Sequence, residues 1–510
     1  MMMPFLPATW RVVARAALGL TILGAVMPLT AHGAPRSSAD PVNLTYYFGG
    51  AGAPADLSLV QNAINAITQK KINTTVTLTE VDWGTLNQKM SLIFSAGQPC
   101  DLVFTAPWIN NYYQLVANGD LLPLDSLLKQ YAPKTYASMP ASAWNAAKVD
   151  GKIYAVINQQ LFPKYFGIEI RSDIAAKLHI NPSTLHSYDD VTAVLAKIKA
   201  AYPGVTPLYS NNQTGGNVFT AEANNFDPLV QAGSGVVAAV GMTDKGLKVI
   251  DPVETPQYMH DAELAYKWHQ AGYTTKDPMQ ANDALAAFAA GKFAAVMDQQ
   301  RPGPTEEAKL KATYGWDTVG VSFAVPTMTT AGVVATMTGI CRSSAHPVQA
   351  MQFEELLNSD SQVYNLITHG IAGRDYVVTD KAHNVIGLPP GKTALTDGYW
   401  PNTDWEFGNQ FNAYYTDKSQ IGSWALQRKA QAAARPSVAL GFAVNAVPIN
   451  TQLAQLTSAW NQYGNPVEKG LVDPAVGVPA YIKALKAGGE DKVLAEVQKQ
   501  INAWAKANHK

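Results

Sequence analysis

Val42-Asn43-Leu44-Thr45-Tyr46-Tyr47-Phe48 runs into Gly49-Gly50-Ala51-Gly52, and this stretch, read together with the residues up to Asp120, decides the fold. Its β-branched and aromatic residues predict a strand, and the glycines its turn. From Asp56 to Lys71, Leu57, Val60, Ile64 and Ile67 recur at helical spacing. Residues 74–81 alternate like a second strand and 86–94 have the period of a second helix. Leu102-Val103-Phe104 is a short buried strand broken by Pro107-Trp108, and another helix runs over 112–117 to Asn118-Gly119-Asp120. Strands alternating with helices predict the α/β class, a parallel sheet flanked by helices. Ligands on such sheets lie beyond the C-terminal strand ends, where Gly49-Gly50 and Trp108 fall.

A second set of elements begins after Lys152-Ile153-Tyr154-Ala155-Val156-Ile157. Helical spacing occurs at 173–178, 188–201, 257–271, 282–290 and 347–357, and strands are predicted at 294–297, 319–321 and 333–340. The C-terminal stretch is helical over 451–463, 479–486 and 491–507, with breaks expected at Gly464, Gly477 and Gly488-Gly489. No segment repeats at a fixed period. With 510 residues, two or three folding units are expected.

Composition narrows the partners. Lys+Arg 38 against Asp+Glu 39 gives a net charge of −1, and only 15% of residues are charged. Nothing there attracts nucleic acid or an anionic membrane. Trp 11, Tyr 22 and Phe 15 point instead to a surface of rings, amides and hydroxyls. Arg11 and Arg15 precede an apolar run over 16–26 and the small residues Ala31 and Gly33, which predicts a signal peptide over 1–33. The run is shorter than the ~20 residues needed to span a bilayer. Removing it leaves 36 basic residues against 39 acidic, or −3. Cys100 and Cys341 either pair, as an oxidising compartment allows, or stay as two buried thiols. Neither has the spacing of a metal site.

Gly97-Gln98-Pro99-Cys100-Asp101-Leu102-Val103-Phe104 with Trp108, followed by Asn118-Gly119-Asp120-Leu121-Leu122-Pro123-Leu124, resembles the extracellular solute-binding proteins of bacterial ABC importers, of the maltodextrin-binding type. Asp150-Gly151-Lys152-Ile153-Tyr154-Ala155-Val156 matches the first crossing segment, and Ser343-Ser344-Ala345-His346-Pro347 the return. Gly370-Ile371-Ala372-Gly373-Arg374-Asp375-Tyr376, Gly408-Asn409-Gln410-Phe411 and Gly470-Leu471-Val472-Asp473-Pro474 are similar to its LplA/LipO-like subgroup. The subgroup's lipid-attachment cysteine is absent, which implies a free periplasmic protein, and Asp375 and Asn445 sit where the subgroup differs. The resemblance implies a two-lobed periplasmic-binding-protein fold, each lobe a mainly parallel sheet flanked by helices, joined by crossing hinge segments. The N-lobe is expected to span 34–157 and 336–380, and the C-lobe 158–335 and 381–510. It also implies a monomer that hands a sugar to permease membrane subunits, with no cofactor.

A neutral sugar offers C–H faces for rings and hydroxyls for planar polar groups. Trp108, Asn110 and Tyr112 supply both in one strand-end loop, although the rings could equally cap the sheet. Gln160 lies at the first crossing and serves either ligand or hinge. Arg171 suits sugar hydroxyls or an acid such as Asp173. Asn212, Asn225 and Asp227 lie in polar loops, and Asp298 comes just after a strand end. Trp316, Arg374, Trp400 and Trp405 complete the candidates, some of the tryptophans being expected in the core. Enzyme readings lack motifs. Glu306-Glu307 and Glu354-Glu355 are helix neighbours pointing about 100° apart, not the facing pair of a glycosidase or lyase. Gly387-Leu388-Pro389-Pro390-Gly391-Lys392-Thr393 is one residue short of a phosphate loop. Paired tyrosines (Tyr46-Tyr47, Tyr112-Tyr113, Tyr414-Tyr415) leave a ferric-iron carrier as a further reading, and a ligand-free adaptor as another.

Overall fold

The computed structural model describes residues 40–510 except 164, 211–220, 222, 223, 281–286, 288, 289, 324, 325, 395 and 402. The strands of its two main sheets are, in chain order, β1 (Val42–Gly50), β2 (Thr74–Asp82), β3 (Leu102–Thr105), β4 (Ala155–Ile157), β5 (Tyr165–Arg171), β6 (Thr206–Leu208), β7 (Phe293–Gln300), β8 (Thr318–Ser322) and β9 (Met337–Ile340). The first sheet has the order β2-β1-β3-β9-β4. β1 is parallel to β2, from Val42 opposite Thr74 to Gly50 opposite Asp82, and parallel to β3. β9 is antiparallel to β3 and to β4. The reason is topological: β4 leaves the first lobe at the end where β1–β3 finish, and β9 re-enters from there. The second sheet, β8-β5-β7-β6, pairs antiparallel except at β7/β6. Both sheets are therefore mixed: the parallel pairings are β1/β2 and β1/β3 in the first and β7/β6 in the second.

The helix Leu57–Ile72 buries Val60, Ile64 and Thr68 on one face, at the spacing of successive turns. Asn73, at φ 49°, closes it in the left-handed conformation. The same helix covers the exposed edge of β2: Val76 N donates to Asn65 Oδ1 at 2.7 Å and Leu78 N to Gln61 Oε1 at 2.9 Å. Edge amides that would otherwise pair with another chain are satisfied this way. Cys100 and Cys341 are joined in a disulfide, with Cα atoms 5.7 Å apart, clamping the start of β3 to the end of β9.

Three large apolar cores result. The first surrounds the first sheet, with Leu44, Tyr46, Phe104, Ile340 and Tyr364. The second joins β5, β6 and β7 to the helices Tyr188–Ala201 and Pro256–Gln270 through Ile170, Leu195 and Trp268. The third packs the hairpin Phe226–Ala232/Gly235–Gly241 on the C-terminal helices through Val237, Tyr481 and Val493. Tyr399, Phe407, Phe411 and Trp424 pack in the first core, and the buried residues from Ala439 onward pack in the third.

Two of the expected helix breaks are absent. Gly477 lies inside the helix Pro474–Ala487, where a Cβ would meet Val467 at 2.6 Å. Gly464 ends a π-turn (Trp460–Gly464) that continues the helix Asn450–Ala459 into Asn465–Glu468. A Cβ there would meet Tyr481 at 2.7 Å. Both glycines allow close helix packing and break nothing. No helix among the described residues is long and apolar enough to cross a membrane.

Candidate functional site

Three stretches of chain run side by side where the two sheets adjoin. Gln159 N donates to Gly408 O at 2.6 Å and Gln410 N to Gln159 O at 2.8 Å. Asn158 N donates to Thr336 O at 3.1 Å, and its side chain reaches Glu406 O at 2.5 Å. These crossings fix the loops that carry the rings of the site.

Trp83 directly follows β2, Trp108 follows β3, and Trp405 sits on the third crossing stretch. Their indoles converge. Trp83 and Trp405 stack at 5.8 Å with planes 22° apart, and Trp108 lies 5.7 Å from Trp83 and 6.1 Å from Trp405. Phe104 of β3 lies against all three. Gly49 at the end of β1 makes room, since a Cβ there would fall 2.1 Å from the Trp83 ring. Trp108 is held by Nε1 donating to Ala335 O at 2.7 Å, yet remains 50% exposed. Gly49 N donates to the buried Glu406 at 2.7 Å, tying the loop of Trp405 to β1. Burial pushes the Glu406 carboxyl well above the usual carboxylate range.

Trp108 faces a cavity of about 510 Å3. Asn111 and Tyr113 line it from the first lobe, Phe166 from the start of β5, Asp227 and Gln231 from the hairpin, and Phe442 from the third core. Burial and the charge of Asp227 together push the Tyr113 hydroxyl well up, so it is a hydrogen-bond donor at neutral pH. Asp227 is the acid among the described lining residues. The geometry offers a half-exposed indole, a phenol, amides and one carboxylate, which suit a ligand with both apolar faces and hydroxyls.

Of the residues singled out in the sequence, Trp108 and Asp227 line this cavity and Trp405 supports the ring cluster. Trp400 lines a neighbouring crevice of about 40 Å3 beside Trp405 and His369. Burial lowers His369 to about 4, so it is neutral there. The others have different duties. Asn110 is a buried turn residue at φ 43°, with Nδ2 donating to Phe104 O at 2.7 Å. Tyr112 is fully buried and donates to Ala147 O at 2.5 Å. Gln160 donates to Thr336 Oγ1 at 2.9 Å, and Thr336 to Trp405 O at 3.1 Å, so it steadies the ring cluster indirectly.

Arg171 forks onto Asp173 at 2.7 and 3.1 Å and stacks on Trp316, its guanidinium 3.6 Å from that ring. Both sit at the far end of β5 from Phe166, about 16 Å at ~3.3 Å per residue. Asn225 is an exposed turn residue at φ 63° that accepts from Met242 N through its carbonyl. Arg374 pairs with Asp56 at 2.7 Å through both nitrogens and lies off the cavity. The register of β7 puts Asp298 opposite Gly167, near the cavity end of β5, but its side chain is not described, and Asn212 lies outside the described residues. Trp83 and Phe166 went unrecognised in the sequence, and Tyr113 entered only as one of the paired tyrosines. Trp83 shares the signal that singled out Trp108, an aromatic placed just after a strand. The paired tyrosines do not converge: Tyr46 reaches Thr338, Tyr112 reaches Ala147, Tyr414 stacks on His369 and Tyr415 on Trp424.

A family model for bacterial extracellular solute-binding proteins matches residues 7–364, and one for a domain of unknown function matches 438–506. A carbohydrate ABC transporter substrate-binding protein of Streptococcus pneumoniae serotype 4 is 25% identical over 482 residues, 93% of either chain. The N-glycan transport solute binding protein of Streptococcus pneumoniae superimposes with TM-score 0.79 at 22% identity, over 91% of this chain and 99% of that one. Further structures of that protein hold Man1GlcNAc (TM-score 0.77) and Man5GlcNAc (TM-score 0.75). An extracellular solute-binding protein of Bifidobacterium longum subsp. infantis superimposes at 0.62 with 14% identity, over 91% and 99% of the two chains.

Proposed function

The chain belongs to the bacterial extracellular solute-binding proteins, and on that premise we propose that it captures a carbohydrate between its two lobes and delivers it to an ABC permease. The observation that carries this is Trp108, a half-exposed indole buttressed by Trp83 and Trp405 and facing a cavity of about 510 Å3. A ring held open at an energetic cost in water serves to stack on an apolar sugar face. Tyr113 and Gln231 around it offer a phenol and an amide for hydroxyls. The relative that holds Man1GlcNAc supports a glycan as the class of ligand. The single lining acid among the described residues favours capture over hydrolysis, which needs two carboxylates across the scissile bond.

In this reading the protein works as a periplasmic monomer. Its lobes close on ligand by bending at the crossing segments 158–160, 334–336 and 405–410, and the permease engages the closed form. A thermal-shift screen with neutral oligosaccharides tests it. A true ligand at about 100 times its Kd adds about 2.7 kcal/mol of stability, a clear rise in Tm. No rise with any glycan, and no affinity by calorimetry, would refute the proposal.

A further inference from the structure

β2 buries one face in the first core, and on that face Val76 and Leu78 are followed by Glu80. An acid thus stands where the alternation calls for an apolar residue, and it is only 9% exposed. Its carboxyl lies against the end of β1, where a Cβ on Gly50 would overlap it. The preceding residue, Gly49, is the one whose missing Cβ leaves room for the Trp83 ring, and its N–H donates to the buried Glu406 at 2.7 Å. Trp83 N in turn donates to Gly50 O at 3.1 Å. Two adjacent glycines therefore carry both buried carboxyls and the edge of the ring cluster.

The surroundings of these carboxyls supply no counter-charge. Among the described residues, Tyr46 of β1, Tyr399 and the Thr403 hydroxyl face them, with Glu354 acting on Tyr46 and Asp375 on Tyr399. Arg374 and Lys392 act on Asp56, Asp404 acts on Tyr364 and His369, and Asp82 is exposed and accepts from Gly84 N at 2.9 Å. A buried carboxylate without a cation is costly, which favours the neutral acid. Burial raises Glu80 to about 7, although the amides of Ala51 and Gly52 donate to it, and holds Glu406 well above the usual carboxylate range. Residues 51–53 are exposed, so the path from Glu80 to water is short.

We propose that Glu80 is a positioning residue for the ligand site: as the neutral acid it seats Gly49–Gly50 and, through them, Trp83 in the ring cluster, and on ionising it turns toward water, loosens the cluster and weakens capture. Capture is then strongest below pH 7 and declines as the pH rises through that value. The effect on affinity rests on the carbohydrate reading above; the effect on the rings does not.

Two measurements on the full chain test this. Near-UV circular dichroism without ligand, followed from about pH 5.5 to about 8.5, is expected to show a transition centred near pH 7. Trp83→Phe should cut its amplitude by more than half, and Glu80→Gln, which keeps the neutral shape, should abolish it. In calorimetry with Man1GlcNAc, Kd should rise threefold to about tenfold between pH 6 and pH 8, the upper figure being complete loss of binding by the ionised form. In Glu80→Gln it should stay within twofold. Should Glu80→Gln fail to fold, the spectra of the wild type and Trp83→Phe decide alone. No transition in the wild type, a transition that Trp83→Phe cuts by less than half, or one that persists in folded Glu80→Gln overturns the proposal. So does a wild-type Kd that changes less than threefold. Failure of Man1GlcNAc to bind at any pH counts against the carbohydrate reading only, and the spectra still decide the role of Glu80.

Discussion

Replacing Trp108 by Ala tests the candidate site most directly, and the size of the effect can be worked from the ring's exposure. A buried tryptophan covers roughly 150–250 Å2, and Trp108 is 50% exposed, so on the order of 100 Å2 awaits a ligand. At about 25 cal/mol per Å2, complete coverage is worth about 2.5 kcal/mol, and coverage of one face about half of that. The expected loss of affinity is therefore roughly tenfold to seventyfold. The same substitution removes the bond from Nε1 to Ala335 O, worth about 1 kcal/mol of stability, which a domain of this size tolerates. Isothermal titration with the tightest glycan from the screen measures the effect, and Trp108→Phe should fall between wild type and Ala. If Trp108→Ala is folded and keeps its Kd within twofold, the indole does not meet ligand and the carrying observation is lost.

Three more outcomes rest on particular contacts. Gly49→Ala puts a Cβ where the Trp83 ring stands, 2.1 Å away, so the ring cluster must shift; binding should weaken several-fold, and unchanged titrations would show the cluster to be dispensable. Glu354 is fully buried and burial raises its carboxyl to about 8, so its neutral form is favoured in the fold. A raised carboxyl contributes stability below about pH 4.5 that is lost as pH rises towards 8, at about 1.4 kcal/mol per unit. Urea titrations of Glu354→Gln should therefore show an advantage over wild type that grows across that window, and a pH-independent difference would contradict the assignment. Replacing both Cys100 and Cys341 by Ser opens a link across 241 residues and should cost about 2–4 kcal/mol. The melting temperature of that variant should no longer respond to dithiothreitol, whereas the wild type's should fall.

Periodicity was enough to place β1, β2 and β3, because each strand and helix buries one face against its neighbour. It could not choose between Tyr112 and Tyr113. Adjacent helical residues point about 100° apart, and which of them meets the core depends on how the helix is set down. Asn111 sets that phase by capping the helix, its side chain accepting from Gln114 N at 3.0 Å. Tyr112 is thereby turned inward and Tyr113 toward the cavity. Asparagine misled for a related reason. Asn110 and Asn225 look like hydrogen-bonding groups for a sugar, but both hold a left-handed backbone turn, a duty for which asparagine is favoured by its short amide.

The misplacement of Arg171 shows most clearly what sequence order hides. Binding beyond the C-terminal strand ends is a rule for strands that run toward the cleft. β1, β2 and β3 do so, and Gly49, Trp83 and Trp108 gather at their ends. β5 enters the second lobe from the cleft, so its first residues, with Phe166, face the cavity and its last, Arg171, is carried away. β7 runs back against β5, from Ala295 opposite Ile170 to Gln300 opposite Tyr165, and brings its C-terminal end to the cleft again. The two lobes thus present opposite ends of consecutive strands to one cavity. A residue's claim on the site is set by the direction in which the chain crosses between lobes, and that direction becomes visible only when the pairing of β5 with β7 and of β9 with β3 is known.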